Sequence, residues 1–134
     1  MKLRVEAEIR STETQEKVEV AIRKLFPTVT IERVGSSLVG QSDDKDSLAK
    51  FHQLLRQQAI LDTTRSVMIS NIRGSFTQLK FNKQVAFVGK LSFTKGESPL
   101  GPIVVTLEAP DLDRLIDYLA PRTRKGKPEY DIQY

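Results

Sequence analysis

Six positive side chains, Arg65, Arg73, Lys80, Lys83, Lys90 and Lys95, stand between Asp62 and Glu97 with no carboxylate among them. Guanidinium and ammonium groups at this density suit the neutralisation of phosphate, because each phosphate contacted releases condensed counterions. Residues 1–62 carry ten basic and ten acidic side chains and residues 97–134 five and seven, so this window accounts for the net charge of +4. A pI near 9.4 favours anionic partners such as nucleic acid, and serves solubility equally well. A second group of cations, Arg122, Arg124, Lys125 and Lys127, follows near the C-terminus, partly offset by Glu129 and Asp131.

The residues needed for other chemistry are missing or wrongly spaced. His52 is the only histidine and there is no cysteine, so zinc sites, thiol nucleophiles and disulfides are all excluded. Asp43, Asp44 and Asp46 resemble the opening of a calcium loop, but a loop starting at Asp44 needs glycine sixth and glutamate twelfth, where Ala49 and Leu55 stand. Gly89-Lys90 is followed by Leu91, with Gln84 in place of the first glycine of a phosphate-binding loop. Gly96 and Gly101 make no dinucleotide fingerprint. Asp111, Asp113 and Asp117 sit early in a predicted helix, where the helix dipole favours them. The expectation is a protein that is not an enzyme, with no cofactor and no metal.

The elements that would carry the cations follow from hydrophobic period. Leu3, Val5, Ala7 and Ile9 alternate with charged residues as a half-buried strand. Val18, Ala21, Ile22 and Leu25 recur at helical spacing until Pro27. Val29, Ile31 and Val34, then Gly35-Ser36-Ser37 and Leu38-Val39, predict a hairpin. Two helices follow, one burying Leu48, Phe51, Leu54 and Leu55 and one burying Ile60, Leu61, Thr64, Val67 and Met68, the second ending near Gly74. Period two returns at Leu79 and Phe81 and again at Val85, Phe87, Gly89, Leu91 and Phe93, predicting two strands joined at Asn82-Lys83-Gln84. A strand at Ile103, Val105 and Leu107 and a helix burying Leu112, Leu115, Ile116 and Leu119 complete the pattern. A chain of 134 residues with 39% hydrophobic content fits one core. We read residues 1–121 as a single α+β domain, mostly antiparallel sheet with helices on one face, and residues 122–134 as a basic C-terminal tail. No apolar run reaches the roughly 20 residues of a membrane span, and the N-terminus alternates instead of forming a signal sequence, so a cytoplasmic protein is expected.

Phe81 to Phe93, read with Ile60-Leu61-Asp62-Thr63-Thr64-Arg65 just upstream, resembles an archaeal family of conserved proteins without assigned function, the uncharacterised family numbered two hundred and one. The resemblance extends over nearly the whole chain. It implies a fold similar to that of the fifth large-subunit ribosomal protein, which binds ribosomal RNA, and a homodimer; it implies no catalytic residues. Fold by itself does not fix function.

Two functions fit. One is RNA binding through Arg65, Arg73, Lys80, Lys83, Lys90 and Lys95. Compared with the RNP1 run of RNA-recognition motifs, Lys83, Ala86, Phe87 and Val88 match, but Gln84 replaces a glycine, and Val85 and Lys90 stand where stacking aromatics belong. Phosphate and shape contacts are therefore expected over base readout. The alternative is a homodimeric scaffold or protein-interaction module that binds no nucleic acid, its protein partner unspecified. The direction of the cations separates the two: a continuous positive surface favours RNA, whereas cations scattered or paired with Glu6, Glu8 and Asp113 favour the scaffold.

Overall fold

In the computed structural model, which describes residues 1–134, Leu3, Val5 and Ala7 are buried along β1 (Lys2–Glu8), while Lys2, Arg4 and Glu8 are exposed. A strand with one apolar and one polar face must lie with one side against a core. β2 (Thr30–Val34) and β3 (Ser37–Ser42) form the expected hairpin, turning at Gly35, whose φ of 62° glycine adopts without strain. With β4 (Phe76–Asn82) and β5 (Pro102–Glu108) they make one sheet in the order β2-β3-β1-β5-β4, antiparallel throughout. Val5 stands opposite Gly40 on one side and Val105 on the other, and Val105 opposite Leu79, so one register aligns the inward residues across four strands.

The helices cover that apolar layer. α1 (Gln15–Leu25) begins where the Thr14 hydroxyl accepts from the Lys17 N–H, and it buries Val18, Ala21, Ile22 and Leu25. α2 (Ala49–Gln57) follows a 3-10 turn capped by Asp44 and buries Phe51, Leu54 and Leu55; α3 (Leu61–Ser70) buries Leu61, Thr64 and Met68. Phe26, Phe51, Phe81 and Phe93 form a row of rings with successive centroid distances of 5.2, 5.8 and 5.0 Å, tying α1 and α2 to the outermost strand. Each of the three fully buried rings, Phe26, Phe51 and Phe81, contributes roughly 1.5–3 kcal/mol by burial. No helix is long and apolar enough to cross a membrane.

Two segments differ from the sequence pattern. Lys83–Phe87 is a helix, α4, where a hairpin turn and a strand were expected. The Asn82 side-chain oxygen accepts from the Val85 N–H at 3.0 Å and caps it, and the chain leaves it through Gly89 at φ 81°. Lys83 and Ala86, three residues apart, turn inward together, and α4 packs on α1. So short a helix gives too few turns for its period to stand out against the alternation of Val85, Phe87 and Gly89. Strand pairing returns only at Phe93, which bridges Phe81, with the Asn82 N–H donating to Ser92 at 2.8 Å and the Thr94 N–H to Lys80 at 3.1 Å.

The other segment is residues 122–134. They fold back onto α5 (Leu112–Leu119) and α2 through a small hairpin, β6 (Thr123–Arg124) and β7 (Lys127–Pro128). Arg56 reaches Asp131 at 3.3 Å, the Tyr130 hydroxyl donates to Asp117 at 3.2 Å, and the Tyr134 hydroxyl donates to Asp111 at 2.7 Å. Tyr134 also lies against Tyr118, which stacks on His52 with centroids 4.6 Å apart.

Candidate nucleic-acid interface

The six cations of the window do not share a surface. Lys83 is buried, 3% exposed, and its ammonium donates to the Glu8 carbonyl at 2.6 Å, the Leu100 carbonyl at 2.6 Å and the Glu13 carboxylate at 2.9 Å. With all three of its protons committed, it joins the end of β1, the approach to α1 and the loop before β5, and it is withdrawn from the expected phosphate surface. Arg65 is also committed to the fold: its guanidinium donates to Asp117 at 2.7 Å and to the Ala120 carbonyl at 3.1 Å, tying α3 to the end of α5. Lys90 is exposed beside Leu91, whose backbone is held at both its N–H and its carbonyl by the Gln58 side chain.

Arg73, Lys80 and Lys95 converge instead. β4 is the edge strand of the sheet and forms the floor of a groove of about 930 Å³, with α3 and the turn after it on one side and Phe93–Glu97 on the other. All three cations line it, all three are exposed, and none is in an ion pair. Their positions follow from local structure. Lys80 alternates outward on β4 between buried Leu79 and Phe81; Arg73 precedes the tight turn at Gly74 and its backbone pairs with Phe76; Lys95 follows the bridge at Phe93. Glu97 is the carboxylate of the groove. The backbone N–H groups of Glu97 itself and of Lys95, with the Thr94 side chain, hold its carboxyl below the usual carboxylate range, so it stays ionised and subtracts one charge from three.

The edge of β4 adds donors. Its outward backbone groups at Phe76 pair with Arg73, and the outward carbonyls of Gln78 and Lys80 accept from the Asn71 side chain at 2.9 Å and from the Thr94 N–H at 3.1 Å. The N–H groups of Gln78 and Lys80 point the same way and make no hydrogen bond within the chain. Phe76, 37% exposed, and half-buried Phe93 are rings of the same groove. Three exposed cations outside ion pairs, two fixed N–H donors and two rings in one concave surface are equipped to bind an anionic, ring-bearing chain.

Comparison with known proteins gives this fold a family. A family model described as RNA binding matches residues 2–109. A UPF0201 protein of Metallosphaera sedula is 42% identical over 95% of this chain and 92% of its own, and one from Sulfurisphaera tokodaii is 43% identical over 97% and 94%. The chain belongs to the UPF0201 family. The crystal structure of the UPF0201 protein from Methanococcus jannaschii superposes with a TM-score of 0.84 at 28% identity, covering 97% of this chain and all of that one. A further UPF0201 crystal structure gives a TM-score of 0.82 at 34% identity, covering 96% and 99%. These are conserved archaeal proteins, and the relatives carry the family label without an activity.

The whole groove lies inside the span matched by the family model, whereas α5 and the docked C-terminal segment of this UPF0201 chain lie beyond it. Sequence reasoning missed the α3 wall, where Ser66, Ser70 and Asn71 face the cations, and it missed the free N–H groups of β4. The signal for the wall was available: Ser66 and Ser70 are one helical turn apart, opposite the apolar stripe of Leu61, Thr64 and Met68.

Proposed function

We propose that this UPF0201 protein is a non-catalytic RNA-binding protein whose contact surface is the groove at the β4 edge. The observation that carries this reading is the convergence of Arg73, Lys80 and Lys95, exposed and free of ion pairs, along one groove. The description of the matching family model supports it, and so does the confinement of net positive charge to the window that builds the groove. Arg65 and Lys83 hold the fold that presents this surface, and Lys90 stands outside it. A cytoplasmic homodimer with a fold similar to that of the fifth large-subunit ribosomal protein belongs to the same proposal, supported by the family resemblance.

The test is RNA affinity as a function of salt for the wild type and for Arg73→Glu/Lys80→Glu/Lys95→Glu, with circular dichroism to establish that the variant is folded. The triple reversal is expected to weaken binding by about tenfold or more. Equal binding by both proteins would place RNA elsewhere. The alternative, a dimeric interaction module without nucleic acid, draws on the exposed Val20 of α1 and Phe87 and Val88 at the end of α4, apolar side chains with no partner across them. No binding to RNA, together with a dimer in sedimentation, would favour it.

A further inference from the structure

We infer, building on the RNA reading of the same groove, that its ligand class is single-stranded RNA, laid along the β4 edge with phosphates on the Gln78 and Lys80 N–H groups and a base against Phe76 or Phe93. The two N–H groups are two residues apart on one edge, hence about 6.7 Å apart along the floor, and both lack a partner within the chain. They are recessed between α3 and the Phe93–Glu97 segment. A duplex presents its phosphates on a broad convex surface and is recognised across its wide minor groove; it cannot lower a phosphate onto a strand edge flanked by two walls. A single chain can enter, and a charged phosphate oxygen makes a stronger bond to a backbone N–H than a neutral acceptor does.

The rings supply what a bare electrostatic surface lacks. Phe76 exposes 37% of its surface beside Arg73, and Phe93 is fixed by its packing on Phe81 at 5.0 Å, so neither ring must be ordered from a mobile loop when a base arrives. Aromatic rings among cations are the usual means of holding unpaired bases with little regard to their identity. An extended peptide could use the same edge N–H groups by adding a strand. The charge favours the nucleic acid: three cations against Glu97 alone match a chain with one negative charge per unit better than a peptide.

The experiment compares a short unstructured RNA carrying 2-aminopurine with a duplex of the same sequence, against the wild type, Phe76→Ala, Phe93→Leu and the Arg73→Glu/Lys80→Glu/Lys95→Glu variant. Thermal midpoints identify any variant that has lost the fold, which matters for Phe93 because it touches the core. The single strand is expected to bind more tightly than the duplex and to show base fluorescence quenched by stacking, and Phe76→Ala to weaken it by about tenfold. Equal affinity for duplex and single strand, or unchanged affinity and quenching in both ring variants while the charge variant still loses RNA, overturns this inference and leaves the RNA reading standing. If no RNA binds the wild type, both fall. Binding of an extended acidic peptide instead, lost in the charge variant, would assign the edge to strand addition.

Discussion

Lys83 shows how the same residue type can serve opposite purposes within a few positions. In the sequence it is one lysine of a basic window; in the structure its ammonium is enclosed by Glu8, Glu13 and Leu100, and the Glu13 carboxylate is itself largely buried, with side-chain exposures of 3% and 10%. Nothing local distinguishes it from Lys80, because its partners at Glu8 and Glu13 lie 75 and 70 residues away in the chain. Removing one member of such a pair strands the other without water. Lys83→Met is therefore expected to cost about 3–5 kcal/mol in urea unfolding, and Glu13→Gln/Lys83→Met less than Lys83→Met alone, since the double variant leaves no unpaired charge. Lys80→Met, on an exposed side chain with no ionic partner, is expected to stay within about 0.5 kcal/mol of wild type. Equal costs for the two single lysine variants would show that the Lys83 cage contributes nothing to the fold.

The elements with long periodic stripes were legible and the short ones were not. α1, α2, α3 and α5 repeat apolar residues over enough turns to declare a face, and the β2–β3 hairpin announces itself by Gly35 between two apolar runs. α4 is too short, and its cap, Asn82, reads equally well as a hairpin turn because the same residue type serves both. The docked C-terminal segment was illegible for another reason: its anchors are single polar contacts to distant elements, which leave no period. Those anchors make its docking depend on pH. Burial and the hydrogen bond to Asp111 push the Tyr134 hydroxyl up to about 12 from an ordinary value of 10.0, while burial, with Arg56 adding to it and Asp131 opposing, pushes His52 below 6.5. A raised folded value gives stability that is complete below pH 10 and is lost as pH rises through about 12. A lowered one gives stability that is complete above 6.5 and is lost as pH falls through the depressed folded value. Docking is thus expected to loosen as pH rises through about 12, whereas the His52 shift bears on the packing of α2 against α5 through Tyr118. Near-ultraviolet dichroism of the tyrosines should report release at alkaline pH, with Tyr134→Phe removing that loss. A signal that does not change with pH in the wild type would show that these contacts do not govern docking.

Over the whole molecule, the sequence disclosed the segregation of charge but not its division into structural and free cations, which depends on where antiparallel pairing and helix packing send each side chain. That division leaves two separate positive surfaces: the groove, and the hairpin carrying Arg122, Arg124, Lys125 and Lys127, all exposed and none in an ion pair. They lie toward opposite ends of α3. Its C-terminal part lines the groove, whereas Asp62 at its start accepts from the Thr123 hydroxyl at 2.6 Å. The 10 residues of α3 span about 15 Å, the scale that separates Arg73, just past its end, from the hairpin at its start. The Debye length is roughly 8 Å at physiological salt and roughly 30 Å at 0.01 M, so the hairpin charges are screened from a ligand in the groove in the first condition and felt in the second. If RNA binds in the groove alone, its affinity should fall with salt at a log–log slope of about −2, from three cations at roughly 0.7 each on a single strand. Reversing the charges of Arg122, Arg124, Lys125 and Lys127 should weaken binding at 0.01 M salt and leave it unchanged at physiological salt. A wild-type slope near −5, flattened by the hairpin reversal at physiological salt, would mean instead that one RNA spans both surfaces and all seven cations.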